Sequence, residues 1–456
     1  MSQKAVRLAA QFAARGAVVT QGCNRTQHGQ FVIMESMENE TKEEKNAAVP
    51  AVGDVVELEI ADVAYRGNGI ARVSGVVVFV PGTLPGEKVL ARIVAFKKRY
   101  FEAEIVRILT PSPDRIVPCC VLPDGSPVPG CAYDYADYAA EVALKDAQLR
   151  NFLRKFVTDA DSVFLPPFAS PSPLHYRNKV VFHVQRTGAE EARIGYLGSD
   201  NETVVDVESC PLADPAINFA WARLRTNAKR KLNDGDSITL RHTKTDSVVS
   251  WVNRAPDDAA WLTEETQAGL LTVPTDGFFQ VNPGVADALV SQVREWVRTA
   301  AAESGAGTLL DLYCGVGVFG LTAAKDGMSA IVGIESGRNA VTAARRNARA
   351  NGVTGAKFYC ETAAVAAAKN FHCTDFGDVI AVVDPPRAGM ETAAVKALAK
   401  AGPRTVVYVS CDPATLSRDL AVFTANGYVL RKARMFDMFP RTVHFETVCL
   451  LSRSVK

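Results

Sequence analysis

From about Gly277 onward the chain alternates between short apolar runs and amphipathic stretches, and nothing else in it constrains the fold as tightly. Thr308–Leu312, Ala330–Ile334, Val379–Val383 and Val406–Val409 read as buried strands, with Leu321–Lys325, Arg338–Asn351 and Ala393–Ala401 as helical stretches among them. Further strands are expected near Tyr428–Met435 and Glu446–Leu451. Strands alternating with helices predict a mostly parallel sheet with helices on both faces. Such a sheet collects ligands at the carboxyl ends of its strands. The residues that close each run are therefore the first candidates for chemistry.

The first run closes in Asp311-Leu312-Tyr313-Cys314-Gly315-Val316-Gly317-Val318-Phe319-Gly320. Glycines at a strand-to-helix turn let the backbone approach a nucleotide-like ligand. Glu335 ends the next strand, where an acid can accept hydrogen bonds from ribose hydroxyls. A dinucleotide site is the rival, but the turn lacks the full G-x-G-x-x-G spacing, and an acid at Asp311 is more typical of S-adenosylmethionine binders. The third run closes in Asp384-Pro385-Pro386-Arg387, a carboxylate over a rigid, donor-poor turn. The fourth closes in Ser410-Cys411-Asp412-Pro413. Taken alone, Cys411 reads as a buried structural cysteine; beside Glu335 and Asp384 it reads as a reactive one. His444 and Glu446 alternate into the last strand and share a face, and a carboxylate near such a cysteine can act as a base.

A chain of 456 residues has room for two or three domains, so a good deal precedes this sheet. Residues 1–50 read as a disordered or mis-assigned extension. Within residues 1–33, Lys4, Arg7, Arg15 and Arg25 without any acid give the look of a transit peptide, whereas Met34 and Met37 are plausible starts. Residues 51–110 are β-rich, with turn signals at Gly67-Asn68-Gly69, Pro81-Gly82 and Pro85-Gly86, which predicts a small barrel. Lys97, Lys98, Arg99, Tyr100 and Phe101 mix cations with aromatics, as contacts to single-stranded nucleic acid do. Residues 111–275 form a central α+β region, with a helix over Tyr133–Val157 and strands over Val180–Val184 and Arg193–Leu197. Arg177 and Lys179 would share one strand face, as a phosphate contact or as the guard of an exposed edge.

With a net charge of +1 the chain has no strong overall pull on nucleic acid, so any basic patch must be local. No apolar run reaches membrane-span length and no secretory signal is visible. Ten irregularly spaced cysteines fit a reducing cytosol better than a disulfide framework, and a cytoplasmic location is expected.

Two resemblances sharpen this reading. Gly67-x-Gly69 followed by Ile70-Ala71-Arg72, with Val78–Gly82 and Pro85-Gly86-Glu87, resembles the TRAM domain, an RNA-binding barrel of the oligonucleotide-binding type. Phe278-Phe279-Gln280-Val281-Asn282, the Asp311–Gly317 loop, Asp384–Arg387, Ser410-Cys411-Asp412-Pro413-Ala414-Thr415-Leu416-x-Arg418-Asp419 and His444-x-Glu446-Thr447 look like the RNA uracil-5-methyltransferase family over residues 51–452.

The resemblance implies a Rossmann-like S-adenosylmethionine-dependent catalytic domain over 276–456. It implies Cys411 as the nucleophile that adds to uracil C6, and Glu446 as the base that removes the C5 proton. It places Gln280, Tyr313, Glu335 and Asp384 at the methyl donor. Uracil C5 is a poor nucleophile until C6 carries an adduct, for which a thiolate is suited, and the base must leave its stack to be reached. Relatives often hold a [4Fe–4S] cluster. Cys120, Cys131 and Cys210 match the first, third and fourth of its ligands, Val128 stands where the second is expected, and Cys119 could supply the missing thiolate, so the cluster is left open. Val318 stands where some relatives have Asn.

The barrel favours 23S ribosomal RNA as the partner, with the T-loop uridine of tRNA second, and a monomer is expected. A non-catalytic RNA-binding or assembly factor is the rival of another class, opposed by the presence of both Cys411 and Glu446. Cytosine-5 or amino-group methylation is a third reading. Amino-group enzymes usually carry an aromatic after Asp-Pro-Pro, where this chain has Arg387.

Overall fold

A computed structural model of the chain describes residues 49–122, 125–188, 191–245, 247–255 and 261–453. Nearly all of the extension read over 1–50 lies outside the described residues. Two compact units result, one of residues up to 118 together with 132–144, the other of 119–131 and 145 onward.

In the first unit, β1 (Val55–Glu59), β2 (Asp62–Val63), β3 (Asn68–Val73), β4 (Val76–Pro81), β5 (Lys88–Lys97) and β6 (Tyr100–Thr110) form a six-stranded sheet in the order β1-β5-β6-β4-β3-β2. Alternate residues point inward, as the period of a strand demands. Leu58, Ala71, Val78, Val80, Val89, Ala91, Ile93 and Phe101 make the core. The mixed run at the β5–β6 turn therefore splits. Lys97, Lys98 and Arg99 are exposed, Tyr100 packs edge-on against Phe79 with ring centroids 5.1 Å apart, and Phe101 belongs to the interior. Glu87 is buried, yet Arg115 bonds both its oxygens (2.6 and 2.8 Å) and the Leu84 and Ser112 amides donate to it. Burial alone would raise its pKa, but these bonds hold it below the usual carboxylate range.

The second unit contains an antiparallel sheet in the order β11-β10-β7-β8-β9, from β7 (Lys179–Arg186), β8 (Ala192–Leu197), β9 (Val204–Asp206), β10 (Ser237–Arg241) and β11 (Val249–Val252). The helix expected over Tyr133–Val157 is α1 (Tyr138–Leu153) plus a 3-10 turn, Arg154–Phe156. Helix α2 (Pro215–Lys231) sets Trp221 against Phe182, centroids 4.8 Å apart. A hairpin of β12 (Trp261–Thr266) and β13 (Gly269–Pro274) follows.

The expected parallel sheet has seven strands: β14 (Thr308–Leu312), β15 (Ala330–Glu335), β16 (Ala356–Cys360), β17 (Val379–Val383), β18 (Thr405–Ser410), β19 (Tyr428–Phe436) and β20 (Glu446–Arg453). Their order is β16-β15-β14-β17-β18-β20-β19, with β20 antiparallel to both of its neighbours. Every residue of β17 and β18 is buried, which is why both read as unbroken apolar runs. The helices of this layer are α3 (Pro283–Ser304), α4 (Val318–Lys325), α5 (Arg338–Ala350), α6 (Thr392–Ala401) and α7 (Pro413–Ala425). The β12–β13 hairpin packs Leu271 and Val273 against Val341 and Ala344 of α5. Asn347 fixes it there, accepting from the Thr272 amide (2.7 Å) and donating to the Thr272 carbonyl (3.0 Å). Among the described residues no helix is long and apolar enough to cross a membrane.

Candidate active site

Strand order reverses around β14, which lies between β15 and β17, and an open α/β sheet binds ligands at such a point. The chain leaves β14 through Tyr313 (φ 64), Gly315 (φ 52) and Gly317 (φ 92), a left-handed path that turns it sharply into α4. Asp311 Oδ2 accepts from the Gly320 amide at 2.9 Å, which fastens the loop to the strand. Glu335 braces it from the next strand end, with Oε2 accepting from the Gly315 amide at 3.2 Å and Oε1 from Gly337 at 2.6 Å.

Beside this loop lies a cavity of about 190 Å³ lined by Phe279, Gln280, Tyr313, Cys314, Val318 and Asp384, among others. Gln280 reaches it from the segment before α3, which is held by Asn178 N donating to the Val281 carbonyl (3.0 Å). Arg241, paired with Glu264 at 3.0 Å, also donates to the Gly277 carbonyl at 3.3 Å. Two buried acceptors here, Gln280 Oε1 and Asp311 Oδ1, have no hydrogen-bond partner among the described residues. Buried acceptors left over in this way call for a donor from a ligand. Together with the glycine turn and Glu335, they fit a nucleoside carrying an amino group, such as S-adenosylmethionine.

The reactive centre is two strands away. β18 ends at Ser410, and Asp412 caps α7, its Oδ1 accepting from Ala414 (2.9 Å) and Thr415 (3.0 Å), with Pro413 in the first turn. Cys411 is thereby fixed between a strand end and a helix cap. Glu446, 4% exposed, opens the neighbouring strand β20. Asp384 follows β17, its amide donating to the Leu312 carbonyl at 3.3 Å.

The electrostatics tie these groups together. Burial pushes the Cys411 thiol up to about 12, with Glu446 and Asp384 adding to the rise and Arg387 opposing it. Burial likewise holds Asp384 at about 7. It drives Glu446 well above the carboxylate range, with Asp384 adding and Arg387 again opposing. Asp311 is also raised to about 7, by burial first and then by Asp384 and Glu335. The site is thus a half-buried thiol among carboxyl groups that retain protons, with one guanidinium favouring the ionised forms.

Arg387 belongs to a loop that is clamped to α7. The buried Asp419 carboxylate of α7 accepts from the Tyr408 hydroxyl (2.7 Å), the Met390 amide (2.9 Å) and Arg418 Nε (2.9 Å). Arg418 also donates to the Met390 carbonyl at 3.1 Å, and the Thr415 hydroxyl to the Arg387 carbonyl at 3.2 Å. Gly389 sits under the clamp at φ 73, where a Cβ would lie 2.4 Å from Arg418 and 2.8 Å from Asp419. One residue past the clamp, Glu391 accepts from the Tyr313 hydroxyl at 2.6 Å, joining this loop to the glycine turn.

The structure brings Cys411, Glu446 and Asp384 together, and sets Gln280, Tyr313 and Asp384 around one cavity with Glu335 bracing its loop. Glu391, Tyr408 and Asp419 have no role that the sequence alone assigns; Asp419 stands eight positions after Cys411, with no periodic signal to single it out.

Two expectations need correcting. Arg177 does not share the β7 face with Lys179. It precedes the strand, bridges to Ala213, and turns toward Tyr176, Tyr196 and Cys210. The four cysteines also do not form a cluster site. Cys120 and Cys210 are buried in an apolar core that includes Val128 (1% exposed), and Cys119 and Cys131 pack at its margin. The Tyr196 hydroxyl donates to Cys210 Sγ at 3.2 Å. Among the described residues no three His, Cys, Asp or Glu side chains are placed to hold a metal ion. With Val128 where the resemblance expects a thiolate and no metal-holding group among the described residues, these residues do not fit a [4Fe–4S] cluster.

Sheet order, glycine turn and pocket define a methyltransferase of the nucleoside-donor class. The family profile described as tRNA (Uracil-5-)-methyltransferase matches residues 270–454, and the TRAM domain profile matches residues 51–106. The 23S rRNA (uracil(1939)-C(5))-methyltransferase RlmD of Shewanella sp. (strain MR-4) is 31% identical over 436 residues, covering 85% of this chain and 93% of that protein. An uncharacterized RNA methyltransferase of Thermosynechococcus vestitus is 29% identical over 456 residues, covering 88% of this chain and 99% of that protein. In fold, the chain resembles the Pyrococcus abyssi tRNA (uracil-54, C5)-methyltransferase solved with S-adenosyl-L-homocysteine, with a TM-score of 0.65 at 24% identity, over 86% of this chain and 99% of that one. The chain belongs to the RNA uracil-5-methyltransferase family.

Proposed function

We propose that this enzyme methylates C5 of a specific uridine in 23S ribosomal RNA through a transient Cys411–C6 adduct. The observation that carries the proposal is the placement of Cys411 one residue past β18, within electrostatic reach of Glu446, which opens the antiparallel β20. S-adenosylmethionine, held by Gln280, Tyr313, Glu335 and Asp384, supplies an electrophilic methyl group.

The chain's own residues do the rest. The Cys411 thiolate forms a bond to C6, and the C5=C6 electron pair moves to C5, which becomes nucleophilic. After C5 is methylated, Glu446 takes the C5 proton, the C5=C6 bond re-forms, and the thiolate is released. The raised pKa of Glu446 makes it a stronger base than an ordinary carboxylate. Arg387 favours the ionised forms of both Cys411 and Glu446, offsetting part of the cost of charging a buried site. The TRAM barrel and the ribosomal-RNA relatives support 23S RNA as the substrate.

The test is methyl transfer from labelled S-adenosylmethionine to total RNA of a strain lacking the gene, fractionated into 23S, 16S and tRNA. Label recovered in 23S as 5-methyluridine is the expected result. Label in tRNA would keep the chemistry and move the target. Absence of label from every fraction would overturn the reading.

A further inference from the structure

Helix α5 (Arg338–Ala350) carries Arg338, Arg345, Arg346 and Arg349, all exposed, and no acidic residue. Arg338, Arg345 and Arg349 fall on one stripe of the helix, roughly 16 Å from end to end at 1.5 Å per residue. The neighbouring edge strand β16 presents an exposed Lys357. Between helix and strand runs an open groove of about 700 Å³, lined by Arg345, Arg349, Gly352, Thr354, Lys357 and Tyr359, among others. Arg345 lies along it, its Nε donating to the Phe358 carbonyl at 3.2 Å.

Among the described residues, none of these five cations forms an ion pair with a carboxylate. Several cations elsewhere do: Arg225 and Lys229 with Asp206, Arg294 with Asp326, Lys369 with Glu361. Like charges four residues apart, such as Arg345 and Arg349, weaken a helix. In a chain of net charge +1, five unneutralised cations on one face make a local positive field that an extended polyanion would complement. The stripe starts three residues after Glu335, beside the donor loop, and runs away from it along the helix.

We propose that the α5–β16 face binds the phosphate backbone of the substrate RNA outside the reacting nucleotide. The proposal rests on RNA as the substrate and adds a second grip, on the catalytic domain itself. An open stripe of this length suits a chain of phosphates, whereas a single free phosphate calls for a closed cage of donors.

The test uses the full chain carrying Arg346→Gln, Arg349→Gln and Lys357→Gln, which leaves Arg345 and its structural bond in place. Binding to total ribosomal RNA from a strain lacking the gene is measured across a salt series. About tenfold weaker binding is expected, with a log–log salt slope smaller by about 2, since each phosphate that the protein ceases to neutralise takes ~0.7–0.9 off the slope. S-adenosylhomocysteine affinity and kcat at saturating RNA should stay unchanged. Companion Arg346→Lys and Arg349→Lys substitutions should restore both affinity and slope. Unchanged affinity and slope in the glutamine variant would overturn the proposal, and so would a loss that the lysine variant shares, which would mark a structural role. Wild-type methyl transfer, run alongside, reports separately on the underlying function.

Discussion

Ser410 at the end of β18 pairs with Thr447 on β20, so the next step of the antiparallel ladder brings Cys411 level with Glu446. The proposed nucleophile and the proposed base therefore stand at adjoining ends of two paired strands. Cys411→Ala should abolish methyl transfer while leaving RNA affinity within a few-fold. Glu446→Gln should let the adduct form and block its release, seen as a protein band shifted by covalent RNA. Full turnover by the alanine variant would remove Cys411 from the mechanism.

The half-buried thiol dictates a pH profile. With Cys411 pushed up to about 12, its thiolate is scarce at neutral pH and grows tenfold per pH unit below that value. Glu446, raised by burial, also gains its basic form only as pH rises. Log kcat/KM should therefore climb with a slope of at least 1, and up to 2 where both groups hold protons, from roughly pH 6 to 9, measured by label transfer to RNA. A flat profile would mean that the thiolate is preformed.

Asp384 should cost stability for the sake of the site. The folded chain holds its proton up to about 7, whereas an unfolded carboxyl releases it near 3.8. Between these values the folded state binds more protons, so this group's contribution falls as pH rises and is lowest above about 7. Asp384→Asn should raise stability at pH 8 by roughly 2–4 kcal/mol and change it little at pH 4, while methyl transfer is lost. Urea unfolding midpoints at the two pH values check this.

The clamp around Asp419 makes a different prediction. Tyr408→Phe removes one donor to a buried carboxylate and should destabilise by about 1.5–3 kcal/mol. Gly389→Ala combines a left-handed backbone with a Cβ 2.4 Å from Arg418, so it should displace the 386–391 loop and with it Arg387. In both variants kcat should fall by a larger factor than the affinity for S-adenosylhomocysteine. Equal losses in the two would assign the clamp to donor binding instead.

A buried ion pair anchors the segment that leads into β20. Lys145 Nζ donates to Asp437 Oδ1 at 2.7 Å and to the Phe439 carbonyl at 3.3 Å, and both charged side chains are fully buried. Lys145→Met leaves the Asp437 carboxylate without its ammonium, and a loss of about 3–5 kcal/mol is expected in denaturant melts.

The strand ends are legible in the sequence because burial on both faces leaves a plain signature. Val379–Val383 and the run into Ser410 are apolar throughout, and each stops at a residue of the site. Edge strand β16, Ala-Lys-Phe-Tyr-Cys, buries only Phe358 and leaves no such run, so the sequence hides both the strand and the groove beside it. Helix α3 is also missing from the expected elements, although Asn282-Pro283 is a start signal, because the Phe278–Asn282 segment reads first as part of the site. Arg177 is misplaced when a strand's alternation is extended two residues ahead of its first residue, Lys179. The cysteine spacing suggests a metal, but spacing does not report that Val128 fills the interior between Cys120 and Cys210. The Asp419 clamp joins loop 386–391 to α7 by tertiary contact alone, which no periodicity encodes.

β20 lies between β18 and β19, although it is made after both. During synthesis β19 has no sheet partner, and Cys411 no base, until the ribosome has added Glu446 and the residues that follow it. Thiol, donor loop and RNA-binding barrel all emerge earlier. An unfinished chain therefore carries the proposed nucleophile without the proposed base, and completion of that strand brings the two together.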